Sequence, residues 1–207
     1  MNKITVAILL STPFILTSCS PIKMPVSNQY KLATFSAKTF IKQKTTTSIL
    51  VSQPEAMAGY QTDQMYYIQK PFELNSFTHN AWISPPANMI YPLIMQSLQK
   101  SGYFNAVASG PFVDKSDYRL DTQLILLQQN FLLKPSAIDF VAKILLTHIA
   151  DNRVIASRIF SEHVNCPSDT PYGGVIAANK ATEAFTAALS NFVVDEVSQD
   201  VRLASKK

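Results

Sequence analysis

Between Asp117 and Leu126 apolar and polar residues alternate. Tyr118, Leu120, Leu124 and Leu126 fall on one side, and Arg119, Asp121 and Gln123 on the other. That period of two marks a half-buried antiparallel strand. Ile138, Phe140, Ala142, Ile144 and Leu146 repeat it, and after a turn at "ADNR" the run from Val154 to Val164 returns. The three segments read as a meander with one wet face. Upstream, Tyr30 to Leu32 begins a first strand, Ala33 to Thr47 is a polar loop, and "SILVS" from Ser48 to Ser52 is a short apolar strand. "DQMYYIQK" and "FELNSF", split by Pro71, make a hairpin, and Phe104 to Ser109 a further short strand.

Two segments follow the helical period instead. Ile90, Leu93, Ile94, Ser97 and Leu98 recur at spacings of three and four, and Gly102 stops them. Ser84 before Pro85-Pro86 has the chemistry of a helix start, with Asn88 as the alternative cap. Pro92 inside this helix opposes it, at about 3 kcal/mol in a helix interior. From Tyr172 to Val197, Ala178, Ala181, Phe185, Ala188, Leu189, Phe192 and Val193 form one apolar stripe. The expected fold is an α/β (α+β) sandwich: one mostly antiparallel or mixed β-sheet with two helices packed on one face.

The N-terminus adds a destination. A positive start at Lys3, an apolar stretch from Ile4 to Leu16 and the small residues Thr17 and Ser18 lead to Cys19. A secretory core needs roughly 7–15 apolar residues and a membrane-spanning helix about 20, so this run suits export and not spanning. Leu16-Thr17-Ser18-Cys19 resembles the lipobox of bacterial lipoproteins, where cleavage precedes the cysteine and the thiol takes the lipid. Cys19 is then the lipidation site, and no other cofactor is expected. Ser20 after it, by resemblance to the sorting rule of enteric bacteria, favours the outer membrane. The reading divides the chain into a signal peptide (1–18), a lipidated tether (19–29), an α/β domain (30–200) and a basic tail (201–207).

Composition changes little. Hydrophobic residues make up 47% of the chain, enough for a real core, and the net charge of +4 is spread thinly. No dense basic patch for nucleic acid is present. Only two cysteines occur; with Cys19 acylated, Cys166 is left single and reads as buried and inert.

Candidate chemistry is sparse. No phosphate loop, dinucleotide fingerprint or nucleophile elbow is present. His163, Cys166 and Asp169 fall three apart and meet a metal site only weakly. His148 reads as a satisfied core or edge histidine, and His79 as solvated in a polar turn. Asp117 and Asp121 face one side of a strand with Arg119 between them, which reads as a surface ion cluster. No catalytic residue is assigned. Trp82 fits a core plug between sheet and helix or an interface anchor. Tyr66 and Tyr67 point to opposite faces, leaving one exposed. Tyr66, Tyr67 and Trp82 are the candidate partner interface.

The order of segments carries a resemblance. A tether followed by "YKL", then "ILVSQP", the tyrosine hairpin running into Trp82-x-x-Pro-Pro, Ser101-Gly102-x-Phe104, "DYRLDTQLILLQQNF", "NRVIASRIFSEHV" and an Ala-rich final helix resembles the ABC-type transport auxiliary lipoprotein family. That family includes the lipoprotein partner of the paraquat-inducible membrane proteins. The resemblance implies a non-enzymatic role at the periplasmic face of the outer membrane. There the lipoprotein docks a periplasmic protein with mammalian-cell-entry (MCE) domains, and with it an ABC or membrane permease that moves lipid across the envelope. Self-association into a homo-oligomer would suit a tubular partner. The alternatives are a direct lipid-binding carrier and an outer-membrane assembly or envelope-integrity lipoprotein. The "ATFSAKTFIKQKTTT" loop and Pro92 depart from the family pattern.

Overall fold

The computed structural model describes residues 28–40, 45–110 and 116–205. Its frame is the expected meander. Strands β7 (Tyr118–Asn130), β8 (Ala137–His148) and β9 (Arg153–Asn165) pair antiparallel along their full lengths. Leu120, Leu124, Phe140, Ala142, Ile144 and Leu146 are all fully buried on one face. One expectation fails at Leu126, which is only half-buried. A register shift between Leu124 and Leu126 inserts a bulge, and Leu127 and Gln129 turn inward in its place.

The other edge of β7 is shared by three strands in succession, all parallel to it. β2 (Ser48–Val51) pairs with Tyr118–Leu120, β3 (Glu55–Ala56) with Gln123–Leu124, and β4 (Gln64–Lys70) with Gln128–Asn130. β6 (Ala106–Ser109) lies parallel outside β2, and β5 (Glu73–Trp82) antiparallel outside β4. β1 (Asn28–Tyr30) runs parallel to Asn80–Trp82 of β5. The result is one mixed nine-stranded sheet.

The β4–β5 hairpin forms as expected, around Pro71 and Phe72, but β5 is longer than its sequence suggests. It runs through Trp82, so His79 is an exposed strand residue and not a turn residue. Burying Trp82 and pairing with β1 carry the strand that far. β1 itself begins at Asn28, two residues inside the span expected as tether.

Helix α1 spans Pro86–Ser101. Neither Ser84 nor Asn88 caps it. Pro85 occupies the cap position without a side-chain bond, and its carbonyl accepts from the Asn88 and Met89 amides at 2.9 and 3.3 Å. Pro92 lies exposed within the helix, and Gly102 ends it at φ 76°, a left-handed conformation that glycine adopts without strain.

Helix α2 spans Pro171–Ala204, seven residues past its expected end, so Arg202 lies on a helix and not in a tail. Thr170 caps it: its hydroxyl accepts from the Gly173 amide at 3.0 Å. Ala177, Ala178 and Ala181 bring the helix close to the sheet, and Phe185 packs on Phe140 and Phe160 with ring centroids 4.9 and 5.7 Å apart. Both helices join one core on the inward face of the sheet. They meet through Ser97 and Ser190, whose hydroxyls lie 2.9 Å apart.

Residues 31–40 carry no regular structure but are not loose. They form a strap over the helices. The Ala33 amide donates to Asn179 Oδ1 at 2.8 Å, Ser36 N–H to Thr186 Oγ1 at 2.9 Å, and Phe40 N–H to the Ser101 carbonyl at 3.1 Å.

Candidate functional site

Cys19 lies outside the described residues. Of the three aromatic candidates, Trp82 is a core residue at 3% exposure, packed beside Met65, Leu127 and Ile138. Burial removes it from any docking surface, and the core-plug reading is the correct one. Tyr66 and Tyr67 do face opposite ways, each half-buried. Tyr67 stacks with Phe77 and Phe131 at 4.5 and 5.8 Å between centroids. Tyr66 lies on the outer face, edge-on to Tyr60 at 5.5 Å, its hydroxyl 2.9 Å from Thr62 Oγ1. Burial raises the Tyr60 phenol above its ordinary pKa, and that hydroxyl donates to Gln128.

The titratable groups are distributed among separate structural partners. His163 Nδ1 meets Asp139 at 2.7 Å, Cys166 is buried, and Asp169 accepts from the Ser136 amide at 2.7 Å. The three therefore have three different surroundings. Among the described residues no group of three or more His, Cys, Asp or Glu is placed to hold a metal. Arg119 pairs with Asp121 at 2.9 Å, whereas Asp117 turns aside to accept from the Ser48 amide and hydroxyl.

A polar chain that the sequence did not signal ties the start of β7 to the end of α2. Tyr118 O–H donates to Asp200 at 2.8 Å, Arg153 bridges Asp200 and Asp151, and His148 meets Asp151 at 2.7 Å. The His148 and Arg153 hydrogen bonds hold the Asp151 carboxyl down at about 2, and burial with the Asp200 bond pushes the Tyr118 phenol far up. This is a structural clasp: its members are spent on one another.

An open trough lies where the chain leaves β7 between β2 and β3. Two adjoining hollows of about 350 and 410 Å³ share Ser52, Gln53 and Asp121. Glu55 and Lys143 line one, and Arg119 and Tyr91 the other. Pro54 is the signal that sequence reasoning passed over, because proline cannot donate to a ladder and the strand must break there. The trough mixes both signs of charge, and among the described residues it brings together no nucleophile, base and oxyanion donors. The apolar cavity beside Trp82 measures about 10 Å³, too small for an acyl chain.

The comparison that decides the family covers most of this framework. Residues 30–190 match the ABC-type transport auxiliary lipoprotein component. The chain belongs to that family. As an auxiliary transport lipoprotein it shares its fold with two solved structures. Protein XCC0632 from Xanthomonas campestris is 21% identical, with a TM-score of 0.77 over 84% of this chain and 99% of that one. An uncharacterised protein is 15% identical, with a TM-score of 0.66 over 81% and 99%. At these identities the likeness concerns the fold alone. A search of curated proteins finds no match. No helix among the described residues of the lipoprotein is long and apolar enough to cross a membrane.

Proposed function

We propose that this auxiliary lipoprotein is a non-catalytic docking subunit. Anchored by lipid on Cys19 at the periplasmic face of the outer membrane, it holds the end of an MCE-type conduit whose ABC or membrane permease moves lipid across the envelope. The family match over residues 30–190 carries the reading. The lipobox supports the anchor; stable anchoring takes two chains, and the three that a lipobox cysteine carries would make it effectively permanent. The spending of the His148 and His163 carboxylate pairs on structural contacts fits a role in binding. The mixed-charge trough offers a polar, solvated surface of the kind found at reversible interfaces.

Affinity purification of the tagged full-length lipoprotein from gently solubilised envelopes, beside the Cys19→Ala form, tests this. An MCE-domain protein and its permease or ATPase are expected with the native chain and reduced with the variant. Their absence from the native sample overturns the docking role.

A further inference from the structure

The β4–β5 hairpin projects along the sheet and ends in Pro71-Phe72. Phe72 sits at φ 66°, a conformation suited to glycine, and its side chain is fully exposed at 109%. A bulky residue held there is an outlier that a glycine would relieve. Leu74, the second residue of β5, is also exposed. The neighbouring loop lies at the same end, because β4 and β7 are parallel with Ile68 beside Asn130. That loop presents Leu132 and Leu133, 46% and 44% exposed, so the two loops place four apolar side chains at one tip. Their support is firm: Phe131 donates its amide to the Ile68 carbonyl at 2.9 Å, and its ring packs edge-on to Tyr67 and Phe77 beneath the turn. Lys70 and Lys134 flank the tip, with Glu73 paired to Lys70 at 3.6 Å. The pattern is apolar ends with charges one step behind, as at a lipid interface.

The chain's own course names the occupant. β1 runs parallel to β5, with Asn28 beside Asn80. Since β5 leads away from Phe72, β1 is entered at Asn28 from the side of that turn. From Asn80 to Phe72 is about 26 Å of strand, and from Asn28 to Cys19 the chain reaches at most about 30 Å. The stretch between Asn28 and Cys19 is therefore long enough to span to the level of the apolar tip.

We propose that the tip bearing Phe72, Leu132 and Leu133 inserts into the headgroup–acyl boundary of the same leaflet that holds the Cys19 lipid. The domain then stands on two feet, one covalent and one folded. This rests on the anchored reading of Cys19.

The processed full-length lipoprotein, reconstituted into phosphatidylethanolamine–phosphatidylglycerol vesicles with acyl chains brominated near the headgroup, tests it. Trp82 is the chain's single tryptophan, buried and at the far end of β5, and supplies an unquenched reference. Phe72→Trp and Leu132→Trp are expected to blue-shift and lose most of their added emission. Ile83→Trp, exposed at the opposite end of β5, is expected to lose none. Quenching equal at all three positions, or absent at 72 and 132 while the chain floats with the vesicles, overturns the insertion. The mass of the N-terminal peptide reports the anchor separately. An unacylated Cys19 would sink the anchored reading, and quenching confined to 72 and 132 would leave the folded foot standing alone.

Discussion

Cys166 sits just past the end of β9 at 4% exposure, its amide donating to the Ser136 carbonyl at 2.7 Å. Burial pushes its thiol pKa up from the ordinary value, so the thiol stays protonated at neutral pH and above. A maleimide is expected to label native protein slowly even at about pH 8.5, where a free thiol is half ionised, and stoichiometrically once urea unfolds it. Fast native labelling would show that the β9–α2 corner opens. Trp82 makes the same point about aromatics. Its surroundings in sequence, "NAWISPP", suit a core plug and a binding anchor equally, and only three-dimensional burial separates them. Tyr66 and Tyr67 were readable as a pair facing opposite ways because a strand has period two. Their contacts with Tyr60, Phe77 and Phe131 were not, since these lie on other segments.

At the scale of elements, α2 begins under tight constraint. A Cβ on Gly173 would collide with the Ser168 backbone carbonyl, and one on Gly174 with the Gln129 side-chain amide. The first clash is with backbone and cannot be relieved by a rotamer. Gly173→Ala is expected to destabilise by about 1–3 kcal/mol, read as a lowered urea midpoint at unchanged slope. The elements themselves were largely legible. Alternation found β7, β8 and β9, the 3,4 spacing found both helices, and Pro71 found the hairpin turn. What escaped was non-local: the bulge at Ile125 that swaps Leu126 for Leu127, and the extension of β5 to Trp82. The parallel docking of β2, β3 and β4 along one edge of β7 escaped as well. Each depends on a partner distant in the chain or on a backbone irregularity without a compositional mark. Cys19, the strongest candidate from sequence, rests on a linear recognition signal and lies outside the described residues, so the fold does not bear on it.

The whole molecule is held by features that cross it. The strap of residues 31–40 depends on Asn179, whose Oδ1 accepts from the Ala33 and Thr34 amides at 2.8 and 3.3 Å and whose Nδ2 donates to the Lys31 carbonyl at 3.1 Å. Asn179→Ala is expected to lower stability by about 1–2 kcal/mol. Amide exchange should quicken at Ala33 and Thr34 and remain slow in β8; unchanged exchange at the strap would show that Ser36 and Phe40 hold it unaided. Along β7 the trough at Asp121 stands about 30 Å from the tip beyond Asn130. With the tip in the leaflet, the trough faces away from the membrane, where a docking partner would arrive.

The shared edge of β7 also sets an order of events in time. A chain emerging N-terminus first presents Ser48–Val51, Glu55–Ala56 and Gln64–Lys70 before their common partner, Tyr118–Asn130, exists. β7, β8 and β9 can close on one another by short turns, whereas the three earlier strands must wait with unpaired edges. Until β7 appears, the first half of the chain is a set of open ladders exposed to wrong pairing. Assembly of this fold is therefore governed by arrival of the middle of the sequence, and a pause in synthesis or export before Tyr118 would leave the molecule at its most aggregation-prone.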